Sequence, residues 1–243
     1  MKKKHLALLL GSTLALSVAG SSFCAMAEEA QNVEETENLE ETANQEETDF
    51  LSKIQGSYIE LFPEMDREEY RDIWLKETSA LVGEENADAA TDKLLGMCMA
   101  NIYGQEAIDK YGDGSEGIAF DCYFLGGVSE FTVQGDTISG TDEEGNEVFS
   151  HVYDYVDTDE NGFFLYQSED ENSGQFTYFS FAPDTMEETY HLEFRYSEDA
   201  SDLESWFEGA YAYWNVGAIA ADYDDAAMEA AIHLFATENL SEE

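Results

Sequence analysis

The sequence predicts a mainly β protein, built as a small antiparallel barrel or sandwich with helices on either side of it. Three observations predict this class. Residues 118–196 contain several short runs of β-branched and aromatic residues. Turns rich in Gly, Asn and Asp separate these runs. The regions before and after them have apolar residues at helical spacing. Closely spaced antiparallel strands of this kind are typical of barrels and sandwiches.

The N-terminus has the features of a cleavable secretory signal. Three lysines at positions 2–4 precede an apolar stretch, and residues 25–27 (AMA) supply the small-x-small site of signal peptidase. The apolar stretch is shorter than the roughly 20 residues that span a bilayer. Bulky Phe23 makes Cys24 a poor lipidation site. We therefore expect residues 1–27 to be removed and the protein to be secreted, in the extracellular space or cell envelope, without membrane insertion.

Residues 28–48 are predicted to be a disordered acidic linker. They carry nine Glu, no Lys or Arg, and no aromatic residue, so they cannot bury enough apolar surface to fold. Residues 49–243 form one predicted domain, long enough for a single hydrophobic core.

The net charge excludes two classes of partner. The chain has 10 Lys and Arg and 55 Asp and Glu, and residues 1–27 hold three of those ten basic residues and no acid. The remainder has a net charge of 7 minus 55, about −48. Such a protein repels nucleic acids and anionic lipids.

The elements are predicted in this order. Residues 54–62 form a strand that leads to Pro63, and two helices follow at 65–82, with Asp66 as a possible N-cap, and at 87–103. The β-type runs are 119–124, 130–134, 148–156, 163–167, 176–181 and 189–196. Residues 203–207 and 226–235 are predicted to be helical again.

Three segments resemble a known family. Residues 51–58 (LSKIQGSY), followed by Leu61-Phe62-Pro63, are similar to the entry strand of the ZinT-type (YodA-like) zinc-binding proteins. Residues 189–196 (TYHLEFRY) resemble the late His-x-His-Phe strand of that family, and residues 211–235 resemble the C-terminal region of its Gram-positive relatives. The resemblance implies a lipocalin-like or calycin-like antiparallel β-barrel with flanking N-terminal and C-terminal helices.

The resemblance also implies a metal site. The family binds Zn(II) with three histidines, two of them from the His-x-His strand, where alternate residues point to one face. The matching pair here is His191 and Glu193, which we expect on the barrel-facing side. The third family histidine comes from just before this strand, a stretch that corresponds to residues 181–185 here, and Asp184 is the nearest replacement in it. One imidazole with carboxylates still suits Zn(II) but is a harder, less selective donor set.

Each candidate also has a structural interpretation. His191 is equally compatible with an ordinary hydrogen-bonded strand residue, and Glu193 with an ion pair to Arg195. His151 is a weaker additional ligand and more typical of a half-buried structural histidine. His233, between two apolar residues of the last helix, is predicted to be structural.

The sequence has two further features with a structural or chemical interpretation. Residues 157–162 (DTDENG) resemble the start of an EF-hand loop, but Ser168 stands at the twelfth position and β-type runs flank the segment, so a hairpin turn is predicted. Cys98 and Cys122 remain after the signal is removed, and the sequence is compatible with a disulfide or with two buried thiols.

The sequence therefore predicts a secreted, non-enzymatic binder of a divalent metal, zinc above all. As the resemblance implies, it would pass the ion to a metal-uptake system at the cell surface, and it is predicted to be a monomer. The alternative is a cell-surface binding module on the same barrel that has lost the metal site and recognises a peptide, a glycan or a wall component.

Overall fold

The computed structural model describes residues 50–159, 161–183 and 189–240, and the strands in these ranges form one closed antiparallel barrel. Each strand pairs with its neighbours in the sequence, and the first pairs with the last to close the barrel. The predicted antiparallel barrel is confirmed, and the sandwich is excluded. The strands are β1 Gly56–Glu60, β2 Glu130–Gln134, β3 Thr137–Thr141, β4 Glu147–Thr158, β5 Phe164–Ser168, β6 Tyr178–Phe181, β7 Leu192–Ser197 and β8 Val216–Ala220.

Helices lie before β2 and after β8, as predicted. In the described ranges they are α1 Phe50–Lys53, α2 Leu61–Met65, α3 Arg71–Val82, α4 Ala87–Met97, α5 Gln105–Tyr111 and α6 Asp225–Leu240. Helix α3 packs against both α4 and α6. None of the helices in these ranges has the length and apolar character needed to cross a membrane. The predicted signal and linker lie outside the described residues.

Several predicted boundaries were wrong in the helical regions. Asp66 caps the C-terminus of α2 instead of starting a helix, and the predicted 65–82 helix begins only at Arg71, after a 3-10 turn. The predicted 87–103 helix ends at Met97. The predicted 203–207 helix is replaced by a 3-10 turn at Ala200–Leu203.

Two strands were missed, and one predicted strand does not form. Strand β3 contains Ser139 and Gly140, which have weak β propensity, and the small residues of β8 (VGAIA) were included in a helical region. The predicted strand at 119–124 contributes only isolated bridges at Asp121, to Met99 and Trp214.

The barrel interior is filled mainly by aromatic side chains. Phe179 is fully buried, and its ring centroid lies 5.1 Å from that of Tyr196 and 6.0 Å from that of Phe194. Phe131 packs edge-on against Phe179 at 5.9 Å. Because these rings occupy the interior, the barrel is a packed core.

A second core lies between the outer wall of the barrel and the helices. Ile219 of β8 contributes to it from the barrel, and Phe62 of α2, Trp74 of α3 and Phe235 of α6 contribute from the helices. Phe235 is in edge-to-face contact with both Phe62 and Trp74. This core places the helices over β1, β8 and β7.

Strand β7 takes part in both layers. Leu192, Phe194 and Tyr196 point into the barrel core, so by strand alternation Glu193 and Arg195 point outward. All six residues of the strand are nevertheless buried. The outward face of β7 is therefore covered by protein, and this is where polar side chains are held away from water.

Candidate metal centre

A small cavity lies between the outer wall of the barrel and the helices. Its apolar wall is formed by residues of α2 and α6, namely Leu61, Phe62, Met65, Ala231 and Phe235. Its polar wall is formed by Cys122, His191, Glu193 and Asn215. The cavity volume is about 10 Å³, which is room for one water molecule or one ion. A sugar or a peptide side chain does not fit there.

His191 and Glu193 meet at this cavity. The distance from His191 Nε2 to Glu193 Oε1 is 3.3 Å, and the two side chains are 11% and 6% exposed. His191 immediately precedes β7, and the two residues are separated by Leu192, which points inward. The structure therefore places both side chains on the same face of the extended chain, as their spacing in the sequence predicted. The expected direction was wrong, because they face outward, under the helices, while aromatic side chains fill the barrel interior.

The imidazole orientation is set by a backbone carbonyl. His191 Nδ1 lies 2.7 Å from the carbonyl oxygen of Thr189. A carbonyl oxygen only accepts, so Nδ1 carries a hydrogen and donates it, and in the neutral ring Nε2 then carries the lone pair. This lone pair is directed toward the carboxylate of Glu193. Two acceptor atoms at 3.3 Å require a proton or a cation between them.

Asn215 fixes the other oxygen of the carboxylate. Its Nδ2 donates to Glu193 Oε2 at 3.0 Å, and its own backbone N–H donates to the Asp121 carbonyl at 3.0 Å. Asn215 is 3% exposed, and its Oδ1 has no hydrogen-bond partner among the described residues. An unsatisfied buried amide oxygen costs free energy. Asn215 lines the cavity, so a donor or a cation bound beside it would be able to satisfy this oxygen.

Space for the cavity comes from a glycine on the neighbouring strand. Gly217 of β8 stands directly opposite Glu193 of β7 in the sheet register. A Cβ atom at this position would lie 2.9 Å from Phe62 Cε2 and 3.8 Å from Leu61 Cδ2. Any larger residue at 217 would therefore enter the space between the sheet and α2.

The backbone beside His191 is strained. Tyr190 has φ of +63°, in the left-handed region that bulky non-glycine residues rarely adopt. Such conformations cost about 1–3 kcal/mol and cluster at functional sites. Here the unusual turn immediately precedes the candidate ligand His191.

Arg195 does not pair with Glu193 in the described structure. Its guanidinium donates instead to the backbone carbonyls of Leu203, Ser205 and Tyr211 at 3.0, 3.1 and 2.9 Å. It also lies over the ring of Trp206. Burial lowers the pKa of Arg195 to about 10. The carboxylate of Glu193 is thus left for His191 and Asn215.

Several ionisable groups beside the pocket are buried. Burial raises the pKa of the Asp121 carboxyl, and it raises that of Glu60 as well, with the charge of Asp121 as a further cause. Burial also raises the pKa of the Cys122 thiol well above its ordinary value, and the nearby charges of Glu193 and Asp121 add to this. Negative charges at these positions attract a cation.

The remaining predicted ligands have different positions. Asp184 lies outside the described residues. His151 on β4 does not line the pocket, and its Nδ1 is 2.7 Å from Asp170 Oδ2, with 18% of the side chain exposed. Within the described ranges, no group of three or more His, Cys, Asp or Glu side chains is arranged to hold a metal ion.

Two other motifs have the predicted local structures. The described residues of 157–162 form the hairpin between β4 and β5, where Asp159 accepts hydrogen bonds from the backbone N–H groups of Asn161 and Phe163. His233 lies on α6, and its Nδ1 is 2.6 Å from Glu77 Oε2 on α3, which is a contact between two helices.

Sequence reasoning missed Asn215, Cys122 and Gly217 as parts of the pocket. An asparagine after an aromatic segment has no metal-site signal of its own. A glycine within an apolar β-type run, in contrast, often indicates that a ligand or another part of the chain approaches the strand closely at that position. Had β8 been identified as a strand, Gly217 would have indicated the cavity.

Comparisons with known proteins give only distant likenesses. No protein-family model matches the sequence, and no curated protein matches it. The Zn(II)-bound AdcA of Streptococcus pneumoniae is similar in fold, with 13% identity and a TM-score of 0.42 over 74% of this chain and 34% of that chain. The Zn(II)-bound ZinT-like domain of the same AdcA is similar with 13% identity and a TM-score of 0.42, over 77% of this chain and 87% of that chain. This chain thus spans about a third of the whole AdcA. Zn(II) is bound in those two proteins.

Proposed function

We propose that this domain is a non-enzymatic binding protein for one divalent metal ion, Zn(II), held by His191 and Glu193. One observation carries the proposal. The Nε2 atom of His191 and the Oε1 atom of Glu193 lie 3.3 Å apart at a buried cavity with room for a single ion. Two Zn(II) ligands at about 2.0–2.2 Å from the metal and at a tetrahedral angle are separated by about 3.4 Å. The observed spacing matches that of two ligands on one ion.

The hydrogen bonds around the pair support metal binding. Metal-ligating histidines usually donate their other ring N–H to a carbonyl or carboxylate, as His191 does to Thr189. A ligating carboxylate is usually held in turn by a further hydrogen bond, as Glu193 is by Asn215. Both features would orient the two candidate ligands before an ion arrives.

Two ligands do not complete a zinc site, which has four in most proteins. We propose Asp184 as the third ligand and a water molecule as the fourth. Asp184 is the acidic residue of 181–185, the stretch that corresponds to the one where the resembling family has its histidine. His151 has no part in the site, since it is bonded to Asp170. A set of one imidazole and two carboxylates would bind Zn(II) more weakly and less selectively than three histidines.

The wider role is proposed from the sequence. The N-terminal signal, the acidic linker and the net charge fit an exported monomer that collects Zn(II) outside the cell and delivers it to a metal-uptake system at the cell surface. No catalytic step is assigned to the domain. The alternative role, recognition of a peptide, glycan or wall component, would need a surface other than this cavity.

Calorimetric titration of the purified full chain with Zn(II) tests the proposal. We expect saturable binding of one ion, abolished by His191→Ala and weakened by Glu193→Gln, which keeps the shape and removes the charge. Binding should weaken as the solution is acidified and imidazoles gain a proton, because only the neutral ring ligates.

His151→Ala is the matched control and should leave the affinity unchanged. Binding of more than one ion that survives His191→Ala would mean that the acidic surface collects cations diffusely. That result would reject the site and favour the binding-module alternative. If Asp184 is the third ligand, Asp184→Asn should lower the affinity for Zn(II). The remaining binding should still have a stoichiometry of one ion.

A further inference from the structure

We propose that Cys98 and Cys122 form an intramolecular disulfide that fastens the helical layer to the barrel wall behind the pocket. Cys98 is the residue that caps the C-terminus of α4, and Cys122 lies in the segment that leads to β2. The bond would be a covalent modification of the exported chain. It stands apart from the proposed metal binding, because no step of its formation needs a metal ion.

An isolated backbone bridge brings the two cysteines close together. Met99 and Asp121 form an antiparallel bridge, and the N–H of Ala100 donates to the carbonyl of Phe120 at 3.1 Å. Cys98 precedes Met99 and Cys122 follows Asp121, so both cysteines adjoin the bridge at the same end. Bridged residues have Cα atoms about 4.5–5.5 Å apart. Disulfides need a Cα separation of about 4.4–6.8 Å.

The two side chains are neighbours and are sheltered. After burial, the side-chain interaction with Cys98 is the largest cause that raises the pKa of the Cys122 thiol. Both are unbridged thiols in the structure. They belong to the second core, between the barrel wall and the helices, and Cys98 and Cys122 are 0% and 4% exposed. Replacing two S–H groups by an S–S bond needs no polar partner and no opening of the surface. Once formed, the bond would be protected from reductants in solution.

The bond would connect parts that are far apart in the sequence. The carbonyl of Cys122 accepts from the N–H of Gly217, and Asp121 exchanges backbone hydrogen bonds with Tyr213 and Asn215. The segment around Cys122 therefore runs alongside the start of β8. A disulfide to Cys98 ties the end of α4 to this segment, and through it to the wall that carries Asn215 and Gly217.

The chemistry is two successive thiol–disulfide exchanges with a small external disulfide, such as oxidised glutathione. The thiolate of one cysteine attacks the external disulfide, forms a mixed disulfide and releases one glutathione thiolate, which takes up a proton. The thiolate of the other cysteine then attacks the protein sulfur of the mixed disulfide and releases the second glutathione. In total the two cysteines lose two electrons and two protons, and oxidised glutathione takes up all of these to become two glutathione thiols. Because the native thiols are buried, the exchange occurs while the chain folds or during transient opening.

The test uses the full chain with Cys24→Ser, so that only Cys98 and Cys122 remain. The protein is refolded with oxidised and reduced glutathione in the presence of a chelator, acid-quenched, and alkylated under denaturing conditions before or after reduction. Mass spectrometry should show no alkyl group without reduction and two after it. In a variant that also carries Cys98→Ala, Cys122 should instead be alkylated or carry glutathione. Two alkylated thiols without reduction, or a glutathione adduct on each cysteine, would overturn the proposal.

A stability measurement on the same two-cysteine chain does not require the Cys98→Ala variant to fold. The bond closes a loop of 25 residues, from Cys98 to Cys122 inclusive, and restricts the unfolded chain. Reduction should lower the Tm of the oxidised protein by on the order of 10 °C. The double variant Cys98→Ala with Cys122→Ala should show no shift when reductant is added. An unchanged Tm on reduction of the two-cysteine protein would contradict the disulfide, whatever the outcome of the zinc titrations.

Discussion

The side-chain amide of Asn215 donates to Glu193 Oε2 at 3.0 Å and connects the entry of β8 to the outward face of β7. Both residues are almost fully buried, at 3% and 6% exposure. The hydrogen bond holds one carboxylate oxygen and leaves the other directed at His191. The pocket geometry is thus maintained by a residue that was not among the predicted ligands.

Removing this amide should weaken zinc binding without removing a predicted ligand. We expect Asn215→Ala to lower the affinity for Zn(II) by about 10–100-fold, as is usual for residues that orient a ligand. Calorimetric titration measures the affinity. Asn239→Ala, on the last turn of α6, is the matched control and should leave it unchanged. An affinity equal to that of the unmodified chain would show that Glu193 needs no support from Asn215.

Filling the cavity should have a related effect. In Gly217→Ala the new Cβ would lie 2.9 Å from the ring of Phe62, so the ring must move and the space opposite Glu193 shrinks. Overpacking of this kind costs about 1–3 kcal/mol, so we expect a lower Tm and a zinc affinity reduced by about tenfold or more. Gly96→Ala is the control, because, apart from its chain neighbours and the adjacent backbone of its own helix, no heavy atom among the described residues lies within 4 Å of the added methyl group. Unchanged affinity in Gly217→Ala would place the ion elsewhere.

Arg195 should be important for stability through backbone carbonyls. Arg195 is 1% exposed, and its guanidinium donates hydrogen bonds to the carbonyls of Leu203, Ser205 and Tyr211, which fixes the segment between β7 and β8. Arg195→Met would leave these carbonyls without donors, at a cost of at least about 3 kcal/mol in the free energy of unfolding. Urea denaturation measures this quantity.

Arg195→Lys is informative because it keeps the charge. The single ammonium of lysine cannot reproduce the several N–H donors of the planar guanidinium, so this variant should also be destabilised. Arg67→Met is the control, since Arg67 is 47% exposed and ion pairs at the protein surface contribute little to stability. Equal effects of Arg67→Met and Arg195→Met would mean that the carbonyl contacts add no stability.

The barrel could be predicted because its signal is local. Strands β2, β4, β5 and β6 coincide with runs of aromatic and β-branched residues, and the β4–β5 turn has Asp and Gly at the positions that a hairpin needs. Strand β8 was not predicted, because its residues are small and apolar and are buried on both faces of the sheet. Without alternation, periodicity does not distinguish such a strand from a buried helix.

The candidate site could be predicted only in part. The spacing of His191 and Glu193 correctly indicated a shared face, since every second residue of an extended chain points the same way. Which face it would be depended on the packing of Leu192, Phe194 and Tyr196, whose bulk fills the interior. The contribution of Asn215 depends on the register of β8 against β7, which is a tertiary relationship that no local pattern encodes.

The contact between Glu77 and His233 should make stability depend on pH. The hydrogen bond from His233 is the largest cause that lowers the pKa of the Glu77 carboxyl below its ordinary value of 4.5, and Lys76 adds to it. A carboxyl whose pKa is lower in the folded state stabilises the protein above its unfolded pKa, and this stability is lost as the pH falls through the folded pKa. We therefore expect Glu77→Gln to reduce the free energy of unfolding by about 0.5–1 kcal/mol at pH 7, and the reduction to shrink as the pH falls below 4.5.

Urea denaturation at several pH values measures this difference. Glu229→Gln is the matched control, because Glu229 also bonds Lys76 from α6 but is 49% exposed, so its loss should cost less than about 0.5 kcal/mol at every pH. Only a carboxylate that is ionised in the folded state gives a difference that depends on pH. If Glu77→Gln destabilised the protein equally at pH 7 and pH 3, the cause would be lost packing between α3 and α6, and the ionised contact with His233 would contribute nothing.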